Sequence, residues 1–252
     1  MRLSSLLALV SGVAMAMPVA APAAAADVCC IVRVQDVAPP PDDASVTAKT
    51  RAFGLLGRAH AYAAAGNADR AIADLDEAIR LDPTLADAFI GRGTLLHQRG
   101  DDIRAFADLT EAARLARDNS YAHAGLGDVL QAQRNSDGAI AEYNTAIGLD
   151  PRLADAYVGR GIALATKGDG ERAIADYSTA IALAPPNAAA LRNRGVAYTA
   201  AGDLDRAVAD FTAAIAAAPV YARTYVNRGF IYAPWRPSDR DCGFHIRHPL
   251  RS

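Results

Sequence analysis

A spacing of 34 residues recurs through most of the chain and restricts its fold more than any other feature. So many positions in register are typical of a repeat array, in which each unit buries its apolar faces against its neighbours. We divide the array into the units 52–85, 86–119, 120–153, 154–187 and 188–221, with a partial sixth unit from Ala222 to residue 233. The recurring residues are Gly93, Gly127, Gly161, Gly195 and Gly229; Ala71, Ala105, Ala139, Ala173 and Ala207; Leu75, Leu109, Tyr143, Tyr177 and Phe211; Ala78, Ala112, Ala146, Ala180 and Ala214; and Pro83, Pro151, Pro185 and Pro219.

Each unit has the pattern of two helices, as residues 154–187 illustrate. Tyr157, Gly161 and Leu164 share one helix face, because they stand at i, i+4 and i+7. Gly168 follows as the expected left-handed stop of that helix. The unit is therefore predicted to be a helix, a tight turn and a second helix.

The second helix of this unit is predicted to end at Pro185 and to cross the first helix at close range. Gly161 lies at the predicted crossing and Ala173 lies on the crossing helix, where side chains larger than methyl would separate the two axes. Arg172 and Asp176 stand at i and i+4, so we expect them to form an exposed ion pair of small energetic value.

The order of these residues resembles the tetratricopeptide repeat, in which a large residue, Gly, an apolar residue, Ala, an aromatic residue, Ala and Pro occur at fixed offsets. The resemblance implies an all-α fold, a right-handed superhelical solenoid of antiparallel helix pairs whose first helices line the concave wall. The sequence departs from the family where Arg117 replaces the closing proline and Arg134 replaces the turn glycine. Arginine also replaces the usual leucine at position seven of every unit except the third, and we expect its stem to pack between helices. These residues are Arg58, Arg92, Arg160, Arg194 and Arg228, with Leu126 in the third unit.

The resemblance also implies a function: a non-catalytic scaffold or adaptor that binds a peptide or a partner helix in its concave groove. Asn193 and Asn227 match the family's groove asparagine, whose amide can bond a ligand backbone through both donor and acceptor. Arg192 and Arg223 would make the C-terminal end of the groove basic; we favour solvated arginines there, and capture of an acidic or C-terminal peptide group is the functional alternative. The candidate groove residues, from unit positions two, five, six, nine and twelve, are His60, Thr94, His97, Asp128, Gln131, Arg192, Asn193, Arg223, Asn227 and Phe230.

Other classes of function have little support in the sequence. The formal net charge of −2 gives no electrostatic argument for nucleic acid. No Ser/His/Asp order, phosphate loop or pair of carboxylates indicates catalysis, and we predict neither an enzyme nor a cofactor. An assembly factor of the cell envelope, or an accessory subunit of a periplasmic enzyme complex, is the alternative function.

Residues 1–26 have the features of a cleaved signal peptide. Arg2 provides a short positive region, residues 3–19 are mostly apolar, and small residues precede the expected cleavage after Ala26. A membrane anchor is the alternative, but Ser, Gly and Pro dilute an already short apolar run. We therefore expect a periplasmic or secreted bacterial protein with no transmembrane segment in the mature chain, in which residues 27–51 form an N-terminal segment and a proline-rich linker.

The three cysteines have no predicted role. Their odd number would leave one thiol unpaired in an oxidising compartment. Lipid attachment at Cys29 would require small residues before it, and Asp27 and Val28 fit that requirement badly. The cysteines are Cys29, Cys30 and Cys242.

Residues 234–252 depart from the repeat. Arg236, Asp241 and His245 stand where the second helix of a sixth unit would require Gly, Ala and an aromatic residue. A reading frame shifted by one nucleotide at the Pro234 codon permits the string RGDLRTATADFTSAIRFDP, in which the required residues return. We therefore predict that the tail is an out-of-frame version of that helix; an irregular genuine tail is the alternative.

Loss of this helix would have two consequences. The first helix of the sixth unit would lack cover on its apolar side, so we expect exposure of Tyr225, Ile231 and Tyr232. The spacing of Cys242, His245 and His248 would be accidental, and it lacks the fourth ligand that tetrahedral zinc requires. We predict no metal site.

Overall fold

The computed structural model describes residues 47–219 and 222–232, which form eleven α-helices and no strand. The helices are joined by short turns into five antiparallel pairs, and α11 begins a sixth. They are α1 (Ala48–Ala64), α2 (Ala68–Leu81), α3 (Ala86–Gln98), α4 (Asp102–Leu115), α5 (Ser120–Ala132), α6 (Ser136–Leu149), α7 (Ala154–Thr166), α8 (Gly170–Leu183), α9 (Ala188–Ala201), α10 (Leu204–Ala217) and α11 (Ala222–Tyr232). The predicted all-α solenoid of helix pairs is confirmed, although α1 begins four residues before the first predicted unit.

The turn inside each pair has the same construction. Gly168 has φ 86°, which confirms the predicted left-handed stop after α7. The next residue, Asp169, caps α8, because its side chain accepts a hydrogen bond from the backbone N–H of Arg172. Arg134 takes the left-handed conformation in the third unit, with φ 62°. Equivalent capping side chains belong to Asn67, Asp101, Asn135 and Asp203.

The helices of a pair cross closely because the first helix carries a glycine at the crossing. A Cβ added to Gly161 would lie 2.6 Å from Cε1 of Tyr177, so the predicted crossing leaves no room even for a methyl group. Ala173 and Ala180, on either side of Tyr177 in sequence, are fully buried in the same cluster. Large residues thus fill the space between small ones, which is the pattern of a closely packed helical core.

The pairs stack in sequence order, and their inner wall can be assigned. Consecutive helices pack against each other along the whole described array. The first helices of neighbouring pairs also contact one another, from α1 with α3 to α7 with α9, and among the described helices the second helices do not meet in this way. The array therefore closes toward its first helices, which form the concave side.

The exposed ion pair predicted between Arg172 and Asp176 is wrong. Asp176 is buried, and both of its carboxylate oxygens accept hydrogen bonds from Arg160, at 2.7 and 2.8 Å. Arg172 instead donates to Asp169, at 3.1 Å. The position-seven arginines of units one, two, four and five therefore join the two helices of their unit by ion pairs, in addition to any packing of their stems. The equivalent pairs are Arg58–Asp74, Arg92–Asp108 and Arg194–Asp210.

The sixth unit is described only through α11, which packs on α10. Tyr225 is 42% exposed, as predicted for an uncovered helix, whereas Ile231 is half-buried and the side chain of Tyr232 lies outside the described residues. No helix in the described ranges combines the length and apolar character needed to cross a bilayer. The predicted signal peptide, the three cysteines and residues 234–252 all lie outside the described residues.

Candidate functional site

The concave wall is built from side chains of two successive units. Position six of the first helix is glycine in units two to four, and the second helix of the preceding unit fills the space that each glycine leaves. A Cβ on Gly159 would stand 2.6 Å from the hydroxyl oxygen of Tyr143, and one on Gly125 would stand 2.8 Å from Cδ2 of Leu109. In the fifth unit, Asn193 occupies this position. Position six of the wall therefore changes from glycine to asparagine between α7 and α9.

A cleft of about 610 Å³ opens where the wall changes, between α7, the start of α8 and α9. Its surface is mainly apolar, and Ile162 and Val196 are 37% and 47% exposed there. Exposed aliphatic side chains at the edge of a concave site are available to cover a ligand. The lining residues are Ile162, Ala165, Thr166, Gly168, Gly170, Glu171, Ile174, Tyr177, Asn193, Val196, Ala197, Ala200 and Ala201.

Two amide side chains at the cleft have polar atoms without a hydrogen-bond partner among the described residues. Nδ2 of Asn193 is a buried donor, and Oε1 of Gln131 is a buried acceptor. The other end of the Gln131 amide donates to Oγ1 of Thr166, a lining residue, at 3.2 Å. A buried polar group without a partner costs about 1–3 kcal/mol, so this wall favours a ligand that supplies both an acceptor and a donor.

The N-terminal part of the groove contains histidine side chains beside carboxylates. Nδ1 of His97 lies 2.6 Å from Oδ1 of Asp102, at the start of α4. His60 lies near Asp87, whose pKa is raised by burial and lowered by a smaller amount through His60. These pairs belong to units one and two.

Asp128 links this part of the groove to the cleft. The residue as a whole is exposed on the wall, but the surrounding protein removes much of the water from its carboxyl, and Oδ1 accepts a hydrogen bond of 2.7 Å from the Tyr143 hydroxyl. Desolvation raises the pKa of Asp128, the Tyr143 hydrogen bond and His97 lower it, and the like charge of Asp155 raises it further. Because Asp128 lies near His97 of unit two and Asp155 of unit four, polar side chains of units two, three and four form one surface.

Tyr143 and Tyr177 are held in the neutral form. Burial raises the pKa of both phenols, and Asp128 and Asp176 respectively raise it further. The Tyr143 hydroxyl is therefore a fixed donor to Asp128. Tyr177 lines the cleft and contributes a largely buried ring to its floor.

Two of the remaining predicted groove residues contact each other. Nη2 of Arg192 donates to Oδ1 of Asn193, at 3.4 Å. Thr94 is exposed on α3, and Asn227 is half-buried on α11. The side chains of Arg223 and Phe230 lie outside the described residues.

Sequence reasoning missed four residues of this surface. Ile162 and Val196 occupy position nine, which also supplied the predicted His60, Thr94 and Asp128, but a search for polar ligands passed over them. Asp87 and Asp155 occupy position two, which contributed only Arg223 to the prediction. The repeat register pointed to all four residues, because each has an equivalent in a unit where a groove residue was predicted.

The chain was then compared with known families and structures. Sequence models described as tetratricopeptide repeat and TPR repeat match residues 124–188, 159–222 and 59–100, which together make up more than half of the chain. The chain is a tetratricopeptide repeat protein. Members of this family are generally protein-interaction scaffolds. A search of curated proteins gave no match.

Solved structures of tetratricopeptide repeat proteins have the same fold. YrrB, described as a TPR protein with an unusual peptide-binding site, is 23% identical with a TM-score of 0.53, over 71% of this chain and 92% of its own. MamA is 25% identical with a TM-score of 0.54, over 66% of this chain and 96% of its own. A tetratricopeptide repeat protein from Parabacteroides merdae is 22% identical with a TM-score of 0.60, over 72% of this chain and 71% of its own.

Proposed function

We propose that this tetratricopeptide repeat protein is a non-catalytic scaffold that binds a peptide segment of a partner protein in its concave groove. The observation that carries the proposal is the apolar cleft of about 610 Å³ between α7 and α9, with the unpartnered Nδ2 of Asn193 in its lining. A polypeptide can supply the apolar side chains and the hydrogen-bond acceptor that this cleft lacks. Apolar side chains would cover Ile162 and Val196, and a backbone carbonyl would accept from Nδ2 of Asn193 once this buried amide turns toward the cleft.

The energetic basis of this binding is the removal of apolar surface from water. Each square ångström of apolar surface buried contributes about 25 cal/mol, although part of that gain offsets the entropy lost on association. The Asn193 amide adds a directional contact that fixes the register of the bound segment. YrrB provides a precedent for peptide binding within the family, but its 23% identity establishes only the shared fold.

The proposal can be tested by selection from a random peptide library. A dodecapeptide library displayed on phage is panned on the purified chain, and enriched peptides are measured by fluorescence anisotropy. Val196→Glu places a charge at the cleft on an exposed helix position, so we expect it to weaken binding at least tenfold. Ile103→Glu is the matched control, because Ile103 is 84% exposed on α4 and is not among the residues that line the cleft between α7 and α9.

Either of two outcomes would overturn the proposal. One is that no peptide enriches on the wild-type chain. The other is that the enriched peptides bind Val196→Glu as tightly as wild type, or lose as much affinity for Ile103→Glu as for Val196→Glu. Circular dichroism of both variants establishes that they retain the helical fold.

The cellular site of this scaffold is also a proposal. A signal peptide at residues 1–26 would deliver the array to the bacterial periplasm or the medium, where the partner would be found. The amino-acid pattern of the segment is its support: Arg2, an apolar stretch and small residues before Ala26. N-terminal sequencing of the protein from its native cells should begin at Asp27, and an intact Met1 on the protein would contradict export by cleavage.

A further inference from the structure

We infer that the segment bound in this groove is extended and carries a lysine or arginine two or three residues from the aliphatic or aromatic side chain that enters the cleft. The inference rests on the proposed function and gives the partner a definite chemistry. It differs from the acidic partner that Arg192 and Arg223 indicate in the sequence.

The first step is the charge beside the cleft. Asp128 and Asp155 are both exposed on the groove side of α5 and α7, and Asp155 lies close enough to raise the pKa of Asp128. Glu171 lines the cleft from the first turn of α8. A cation on the ligand would relieve the repulsion between Asp128 and Asp155 and would form charge-assisted hydrogen bonds with them, and Glu171 adds negative charge at the cleft itself.

Arg192 is the cationic side chain described on this part of the wall, and it already interacts with neighbouring groups. It is half-buried, it donates to Asn193, and it lies near the ring of Tyr177. Asp87, with His60 beside it, adds a further carboxylate toward the N-terminal end. The described groove is therefore more acidic than basic, and charge complementarity selects a cationic segment.

The second step is the distance between the acidic site and the cleft. Asp128 and Ile162 occupy the same position in successive units, on α5 and α7, which pack directly against each other. Packed helix axes are about 8–10 Å apart. An extended chain advances about 3.3 Å per residue, so two or three residues connect a cation at Asp128 to an apolar side chain at Ile162.

The third step is the polar group between these two points. Gln131 follows Asp128 by one helical turn, and its amide reaches Thr166 at the cleft. Its buried Oε1 has no partner among the described residues, and neither does Nδ2 of Asn193. An extended backbone offers free N–H and C=O groups to both atoms, whereas a helix has already used most of its own.

The test uses the peptides selected above. We expect enriched sequences to carry Lys or Arg two or three residues from Leu, Ile, Val, Met or Phe. The best such peptide and its Lys→Gln form (Arg→Gln where the cation is arginine) are then measured against wild type and an Asp128→Asn/Asp155→Asn double variant. Asp205→Asn is the matched control, because Asp205 is exposed in the first turn of α10.

We expect the peptide substitution to weaken binding to the wild-type protein about tenfold. The original peptide should bind the double variant about tenfold more weakly than it binds wild type. The substituted peptide should lose no further affinity on the double variant, because both changes remove the same interaction. Asp205→Asn should leave the affinity unchanged. Enriched peptides that are acidic or lack a cation, or a substitution that costs as much on the double variant as on wild type, would overturn the inference. In both cases sensitivity to Val196→Glu would leave the proposed function standing, whereas failure of all peptides to enrich would remove both.

Discussion

Arg160 and Asp176 are joined by two hydrogen bonds, from Nε to Oδ2 at 2.8 Å and from Nη2 to Oδ1 at 2.7 Å. The remaining nitrogen, Nη1, donates to Asn144 in the preceding unit at 2.7 Å. One guanidinium therefore connects α7 with α8 in its own unit and with α6 in the unit before. Arg92 and Arg194 form the same three-way connection, through Asp76 and Ser178 respectively.

This connection should contribute to stability. Asp176→Ala leaves the half-buried guanidinium of Arg160 without its two principal acceptors, so we expect the free energy of unfolding to fall by about 2 kcal/mol. Urea unfolding followed by circular dichroism measures this change. The matched control is Arg172→Ala in the same unit, because the Arg172 side chain is 65% exposed in its bond to Asp169. Its effect should remain within about 0.5 kcal/mol, and equal losses for both variants would contradict the role of the buried pair.

The fold could be predicted from the sequence because one pattern recurs in every unit, whereas the ion pairs could not be predicted in the same way. Asp176 follows Arg160 by sixteen residues and lies on the other helix of the unit. Only the way the two helices cross shows that Asp176 pairs with Arg160 and not with Arg172. The repeat did contain a signal, since Asp74, Asp108, Asp176 and Asp210 share one register. Leu126 and Glu142 depart from that register together in the third unit, where Glu142 pairs with His123.

The position-six glycines provide a second prediction. Gly159→Ala would force a Cβ against Tyr143, at 2.6 Å from its hydroxyl oxygen, and displace the ring that bonds Asp128. We expect a loss of about 1–2 kcal/mol, from overpacking that exceeds the gain in helix propensity. Gly57→Ala is the matched control at the same position of the first unit, where no described atom lies within 4 Å. That variant should be more stable than wild type by up to about 1 kcal/mol. Thermal unfolding of the two variants should therefore shift in opposite directions.

The turn at Arg134 provides a third prediction. Arg134 has φ 62°, a conformation that is strained for a residue with a Cβ and that glycine adopts in the other four intra-pair turns. Arg134→Gly should raise the free energy of unfolding by about 0.5–1 kcal/mol, after the extra backbone entropy of glycine is subtracted. Gln133→Gly is the control, because Gln133 has an ordinary φ of −75° and should only lose stability. If both glycine variants were destabilised, the left-handed strain at Arg134 would be too small to matter.

The candidate site was less predictable than the fold because its character depends on replacements that break the repeat. Asn193 was identified from its match to the family, but the cleft beside it depends also on Ile162 and Val196, whose aliphatic side chains resemble core residues in the sequence. Their exposure follows from the position of α7 and α9 on the concave side. A register-based search that ignored polarity would have found them.

The last prediction concerns the pH dependence of stability at Asp128, whose pKa is raised by desolvation and by Asp155 and lowered by Tyr143 and His97. A carboxyl with a raised folded-state pKa contributes stability below its ordinary pKa, and this stability is lost as the pH rises through the folded-state value. Asp128→Asn does not ionise, so it does not lose stability as the pH rises, and its amide oxygen can still accept a hydrogen bond from the Tyr143 hydroxyl. We therefore expect the variant to gain stability relative to wild type between pH 3 and pH 7, as measured by urea unfolding at each pH.

Glu111→Gln is a control of opposite sign. The hydrogen bond from Arg114 lowers the pKa of Glu111, so its contribution to stability is present above its ordinary pKa and disappears as the pH falls through the lowered value. This variant should lose stability relative to wild type over the same rise in pH, and by a small amount, because the pair lies on the surface. If the two variants shifted in the same direction, Asp128 would not be desolvated in the groove.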